Sequence, residues 1–200
     1  RKISGWLELL ALATVFAVVM NSVYSSIHEA HHRILFAHRR LNDWAGIFLA
    51  LLFPAPFHLL REGHLGHHRR NRTDDEVFDL YFEYDKPWLK KFLWYGILTG
   101  LYWLLIAVSN LFLAVWPGVL ESRIFSVDRT SEIFLKHFKK ETHRLIQLEA
   151  IAVLLFQAGL LFFLAVPALK YFLLYYGFGL SWSSLQYIHH YQAERDVIDG

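Results

Sequence analysis

The feature that most restricts this chain is a repeated arrangement, in which an apolar run is followed directly by a dense cluster of histidines. The run from Gly5 to about Ile27 carries one charge, Glu8, and passes into His28-Glu29-Ala30-His31-His32. The run from Trp44 to Leu60 passes into His64-Leu65-Gly66-His67-His68, and the run from Tyr171 to Ile188 ends in His189-His190. About 20 apolar residues suffice to carry a helix across a bilayer core. Apolar residues make up 55% of the 200 and charged residues only 19%, and the apolar ones are gathered into blocks rather than spaced along amphipathic stripes. An all-α integral membrane helical bundle is the fold class this predicts, with the histidine clusters at the ends of its helices.

The order of the blocks sets the topology. Residues 5–27 and 146–166 read as full spans. Residues 44–60 are apolar too, yet a single crossing there would put the two clusters on opposite sides of the membrane. Pro54 and Pro56 also interrupt a straight helix near its middle. The segment is therefore expected to leave and re-enter the same face. Residues 71–91 are polar and acidic, then aromatic and basic, and read as a surface stretch that settles onto the headgroups. The 92–116 block is expected to be non-crossing or hairpin-like, the mixed-charge 121–145 region to hold an interfacial amphipathic helix, and 146–188 to form a hairpin turning at Pro167–Lys170; the alternative is that 92–116 crosses and 146–188 crosses once, bent at Pro167. Arg33, Arg39, Arg40, Arg61, Arg69, Arg70 and Arg72 crowd around the clusters. An excess of Lys and Arg marks the cytoplasmic side.

Composition narrows the chemistry. A net charge of +2 is too small to indicate a nucleic-acid partner. The absence of cysteine removes both disulfides and thiolate ligands, so a transition metal would be held through nitrogen and oxygen. His28 and His32 stand four apart, and His64, His67 and His68 stand at i, i+3 and i+4, so each set shares a helical face and can converge on one ion. His31 and His189 are weaker candidates for the same role. His38, His58, His137 and His143 read as ordinary surface or core histidines.

The HxxxH of His28 and His32, followed about thirty residues later by the HxxHH of His64, His67 and His68, resembles the histidine boxes of membrane fatty-acid desaturases and of their hydroxylase and carotenoid-ketolase relatives. Leu41-Asn42-Asp43-Trp44 and Arg69-Arg70-Asn71-Arg72-Thr73-Asp74 are similar to the flanks of those boxes, and Trp182 to His190 with Arg195-Asp196-Val197 to the region before the last box. The resemblance covers residues from about 24 to 200. It implies a single desaturase-like domain over 1–200, cut short at both ends: the chain starts at Arg1 rather than Met, and the last HxxHH is expected beyond Gly200. In those families a solitary histidine at the end of the last span also binds iron, with an amide four residues earlier, a pattern that His190 and Gln186 fit. The same residues also fit a QxxHH variant of the third box. The resemblance further implies two iron ions and O2 as co-substrate, and a lipid or acyl-chain substrate lying among aromatics such as Tyr175, Tyr176, Phe178 and Trp182. Electrons are expected from a separate ferredoxin, rubredoxin or cytochrome partner. Desaturation of an acyl lipid is the expected reaction, with hydroxylation and ketolation as alternatives within the family.

Two rivals come from other classes. His28-Glu29-Ala30-His31-His32 also matches the HExxH of a zinc membrane metalloprotease, with Glu29 as general base. That chemistry needs only one further ligand and leaves the second cluster unexplained. A cation transporter would carry its ligands near the membrane midplane, whereas these histidines stand at helix ends.

Overall fold

The computed structural model describes residues 5–71, 73–76, 81–122, 129–136 and 138–190, with the side chains of 129, 130, 134 and 190 excepted. Among the described residues every regular element is helical: α1 (Trp6–His31), α2 (Arg39–Leu52), α3 (Phe57–Arg70), α4 (Pro87–Ile97), α5 (Leu101–Val115), a 3₁₀ turn (Pro117–Glu121), α6 (Arg129–Lys136), α7 (Lys140–Leu164) and α8 (Ala168–His190). Helices α1 and α7, of 26 and 25 residues, are long and apolar enough to cross a membrane. At 1.5 Å per residue α1 extends about 39 Å, longer than a hydrocarbon core of about 30 Å. The helix continues through His31, so the first cluster rides on its last turns instead of following it as a loop.

Helices α1 and α8 run parallel. Phe16 packs on Tyr175, Asn21 Nδ2 donates to Ser181 Oγ at 3.1 Å, and Tyr24 packs on Trp182, so the contacts climb both helices together. Their C-terminal ends therefore share one end of the bundle. Helix α7 runs the other way: the backbone N–H of Lys139, just before it, donates to Glu62 on α3, and Glu149, further along, meets His58, nearer the start of α3.

The two remaining apolar blocks are bent pairs. Helices α2 and α3 meet at 102°, with Pro54 and Pro56 in the turn. At the start of α2, Asn42 Nδ2 donates to the Ala30 carbonyl near the end of α1; at the far end of α3, His64 lies 2.9 Å from His32. Both ends of the pair thus return to the same end of α1, as the expected re-entrant segment must. Helices α4 and α5 meet at 92°. The bend is at Gly100, whose φ of +75° suits glycine, and a Cβ there would lie 3.2 Å from the Leu180 backbone. Trp94 packs on Tyr187 near the end of α8, and Leu113 packs with Ile146 near the start of α7. The ends of the α4–α5 pair thus lie against the end of α8 and the start of α7, in the half of the bundle that holds the histidines.

A helix broken inside an apolar bundle leaves carbonyls without partners. Here side chains from neighbouring helices supply the donors. Gln157 Nε2 donates to Leu51 O at 2.7 Å, Tyr175 OH to Leu52 O at 3.2 Å and Asn110 Nδ2 to Pro54 O at 2.8 Å. Gln157 is itself fixed by Tyr171 OH, which donates to its Oε1 at 2.6 Å.

Two local expectations change. Tyr175, Phe178 and Trp182 are core, packed with Phe53 and Phe57 rather than lining a channel, because the α2–α3 turn fills the space beside α8. Tyr176 is only partly covered and donates to Thr99 O. In the 71–91 stretch, Lys90 is buried against Asp85 at 2.8 Å instead of lying on headgroups; residues 72 and 77–80 of that stretch lie outside the described residues.

Replacing Gln157 by Leu strands the Leu51 carbonyl, and a buried unsatisfied group costs about 1–3 kcal/mol. Unfolding in mixed micelles should register that loss, while Leu155→Ala on the exposed face of the same helix should stay within about 0.5 kcal/mol of the parent.

Candidate metal centre

Four imidazoles converge where α1 and α3 end. His28 in the last turn of α1 and His32, its C-cap residue in helical conformation, project together, as do His64 and His68 from one face of α3. One ligand nitrogen from each lies within 4.8 Å of all the others. His64 is central: its Nε2 is 2.9 Å from Nε2 of both His32 and His68, and its ring centroid is 4.4 Å from that of His28. An imidazole nitrogen has one in-plane position, holding either a proton or a lone pair. Nε2 of His64 therefore cannot make a well-formed hydrogen bond to both neighbours. Four ligand nitrogens facing one another within 4.8 Å form a donor set that a single cation could hold.

The donor set fits a transition metal held by neutral nitrogen. Burial, followed by the neighbouring His28, His31, His68 and His32, pushes the His64 pKa down to about 2, so the ring is in its neutral, ligating form at neutral pH. His31 is 1% exposed, and neither of its ring nitrogens has a hydrogen-bond partner. It packs at a tilt between Phe57 and His64 and adds a fifth imidazole to the inner wall without joining the four.

The other sequence candidates fall in different places. His67 is outside the group of four, with its Nδ1 2.7 Å from Glu76 Oε1. Gln186 is partly buried and His189 exposed on the last turn of α8, close enough to His28 for a charge on one to be felt at the other. The side chain of His190, together with His137, lies outside the described residues. His38 caps α2 by accepting from Leu41 N–H. His58 and His143 pair with Glu149 and Glu121. Glu29 is exposed, one position round the helix from His28.

Sequence reasoning missed the groups that hold the site in place. Asn42 is fully buried and satisfies the Ala30 carbonyl, and Asp43 pairs with buried Arg61 at 3.1 Å. Both belong to the Leu41-Asn42-Asp43-Trp44 stretch that signalled the resemblance, so they were visible as a motif but not as a role. Glu149 stands alone in an apolar run, and that isolation was the signal available: its carboxylate accepts from both the backbone N–H and Nδ1 of His58, anchoring the start of α3. Glu76 gave no signal.

Described residues whose regular elements are all helical, with candidate membrane spans and imidazoles collected at one end of the bundle, define a class of membrane-type proteins that present a nitrogen-rich centre. The fatty acid desaturase family model matches residues 4–199, and the chain belongs to that family. Among curated relatives it is similar to proteins named "Sphingolipid delta(4)-desaturase DES1-like". The one from Oryza sativa subsp. japonica is 30% identical over 79 residues and that from Arabidopsis thaliana 34% over 79 residues; each match covers 38% of this chain and 24% of the relative. The aligned part is thus about a quarter of those relatives' length. No solved structure matches.

His64→Ala should weaken Co(II) binding by more than the roughly 100-fold that an outer partner of a ligand can cost, as followed by visible absorption of the purified protein. His38→Ala should leave the titration unchanged.

Proposed function

We propose that residues 1–200 form a single desaturase-like domain of an O2-dependent, di-iron membrane oxidoreductase, and that its reaction is desaturation of a fatty acyl chain carried on a lipid. The observation that carries this reading is the convergence of His28, His32, His64 and His68 in a chain of the fatty acid desaturase family. Those four would hold one ion. His67 and His190 would serve a second, with Gln186 beside it or acting through a water. A bound iron pair supplies the capacity to remove hydrogen from an unactivated C–H bond at the expense of O2.

The work of the chain itself is holding, orienting and excluding. Helices α1 and α3 each offer imidazoles at i and i+4, so backbone geometry fixes their spacing before any ion arrives. Fully buried Ile27 and Ala30 flank the first cluster in the chain and Phe57 packs on His31, giving the centre an apolar backing that would limit water from the bundle side. The centre stands at the ends of α1 and α8, where an acyl chain can stay in the apolar layer while its headgroup remains in water. The arginine excess around the clusters supports a cytoplasmic placement of that end, where a separate ferredoxin, rubredoxin or cytochrome donor would reach it. The two plant relatives bear names that refer to sphingolipids, which makes long chains of that class, beside glycerolipid acyl chains, the substrates to examine.

The test is lipid profiling of cells expressing the full-length protein or its His64→Ala variant, with glycerolipid and sphingolipid chains separated. A new double bond formed only with the parent protein is expected. A hydroxylated or oxidised carotenoid product in its place would move the reaction to the hydroxylase or ketolase branch. A single zinc per chain, with proteolysis lost in Glu29→Gln, would replace the reading with a metalloprotease.

A further inference from the structure

His67 has the same spacing from His64 as His31 has from His28, yet it is the one that meets a carboxylate. Helix α3 ends at Arg70, and the next residues fold back over its last turn: Thr73 N–H donates to Arg70 O at 2.9 Å and Glu76 N–H to Thr73 O at 3.0 Å. This places Glu76 Oε1 2.7 Å from His67 Nδ1 and Glu76 Oε2 3.2 Å from Arg70 Nε. The Glu76 and Arg70 side chains are only 10% and 7% exposed, so each charge is withdrawn from water against the other. The guanidinium lies over Gly66, the residue before His67, where a Cβ would stand 2.8 Å from Nη1.

A carboxylate paired with a guanidinium can only accept, so the proton in the 2.7 Å contact is on His67 Nδ1, and when the ring carries a single proton its Nε2 holds the lone pair. We propose that Glu76 is a positioning residue of the metal centre: it locks His67 as the Nδ1–H tautomer and fixes the plane of the ring, so that Nε2 serves as a metal donor outside the group of four. Arg70, seated over Gly66, holds the carboxylate in place. What Nε2 binds rests on the di-iron reading; the tautomer does not.

The experiment has two readouts on the full chain in detergent micelles. With isotope-labelled histidine, the His67 signals are identified by their loss in His67→Gln. The parent should show Nδ1–H, and Glu76→Ala should return the ring to mainly Nε2–H; an unchanged tautomer overturns the proposal. In anaerobic Fe(II) titrations Glu76→Ala should weaken binding about 10–100-fold, as loss of an outer partner of a ligand does. His67→Ala should weaken it at least as much, and Glu76→Ala added to His67→Ala should cost nothing further. Additive losses would mean that Glu76 acts on the fold in general, and they overturn the proposal. If Glu76→Ala does not fold, Glu76→Asp, which withdraws the carboxylate by one methylene, must still change the tautomer balance; parent-like behaviour in that variant is equally fatal. Failure of the metal reading has its own mark: His64→Ala would bind Fe(II) as tightly as the parent, whatever the tautomer of His67.

Discussion

The structure depends on how two helices are broken inside an apolar bundle. Bringing α3 back to the end of α1 requires a turn between Leu52 and Phe57, and that turn strands the carbonyls of Leu51, Leu52 and Pro54 away from water. Gln157, Tyr175 and Asn110 each donate to one of them. Without those bonds the favourable alternative is a longer, straighter helix that keeps its own ladder intact. Such a helix would carry His64 and His68 away from His28 and His32. Polar side chains at the level of the turn thus determine whether an imidazole cluster exists at the end of the bundle.

A second constraint is the handling of charge close to the site. Arg61 is covered and answered by Asp43, Arg70 by Glu76, and Glu149 by His58. A buried charge without its partner is costly, so each pair limits how far its helix can slide or rotate. Two pairs act on α3 from outside: Glu149 fixes its first turn to α7, and Asp43 fixes its middle to α2. Glu76 then closes its last turn from the chain that follows. A helix held at its start, middle and end has little freedom left in register. That restraint favours the register in which four nitrogen atoms converge within 4.8 Å.

Much of this was legible in the sequence because it follows from length and period. A run of some twenty apolar residues with one charge is long enough to cross a bilayer whatever surrounds it, and histidines four apart on a helix share a face. Even the return of 44–60 could be argued, since Pro54 and Pro56 forbid a straight helix and the two clusters need a common side. What could not be read is long-range pairing. Nothing local says that Glu149 faces His58, 91 residues away, or that Gln157 caps Leu51 across 106 residues. The aromatics of α8 failed for the same reason: Phe178 and Trp182 look alike as lipid-facing, channel-lining or core residues until the α2–α3 turn is placed against them. Gly100 fell within an apolar block and gave no break by composition; its need arises from the Leu180 backbone beside it.

The two clusters show how far a motif can be trusted. Each contains histidines at i, i+3 and i+4, and by pattern their middle members, His31 and His67, are equivalent. Their surroundings are not. His31 faces inward, 1% exposed, between Phe57 and His64, with no partner for either nitrogen. His67 faces the returning chain and is fixed by Glu76. The difference arises because α1 is followed by a loop that leads away into α2, whereas α3 is followed by a tight turn that folds a carboxylate back onto its last turn. Spacing decides which imidazoles share a helical face, and the chain that follows each helix decides which nitrogen of each ring can act as a donor.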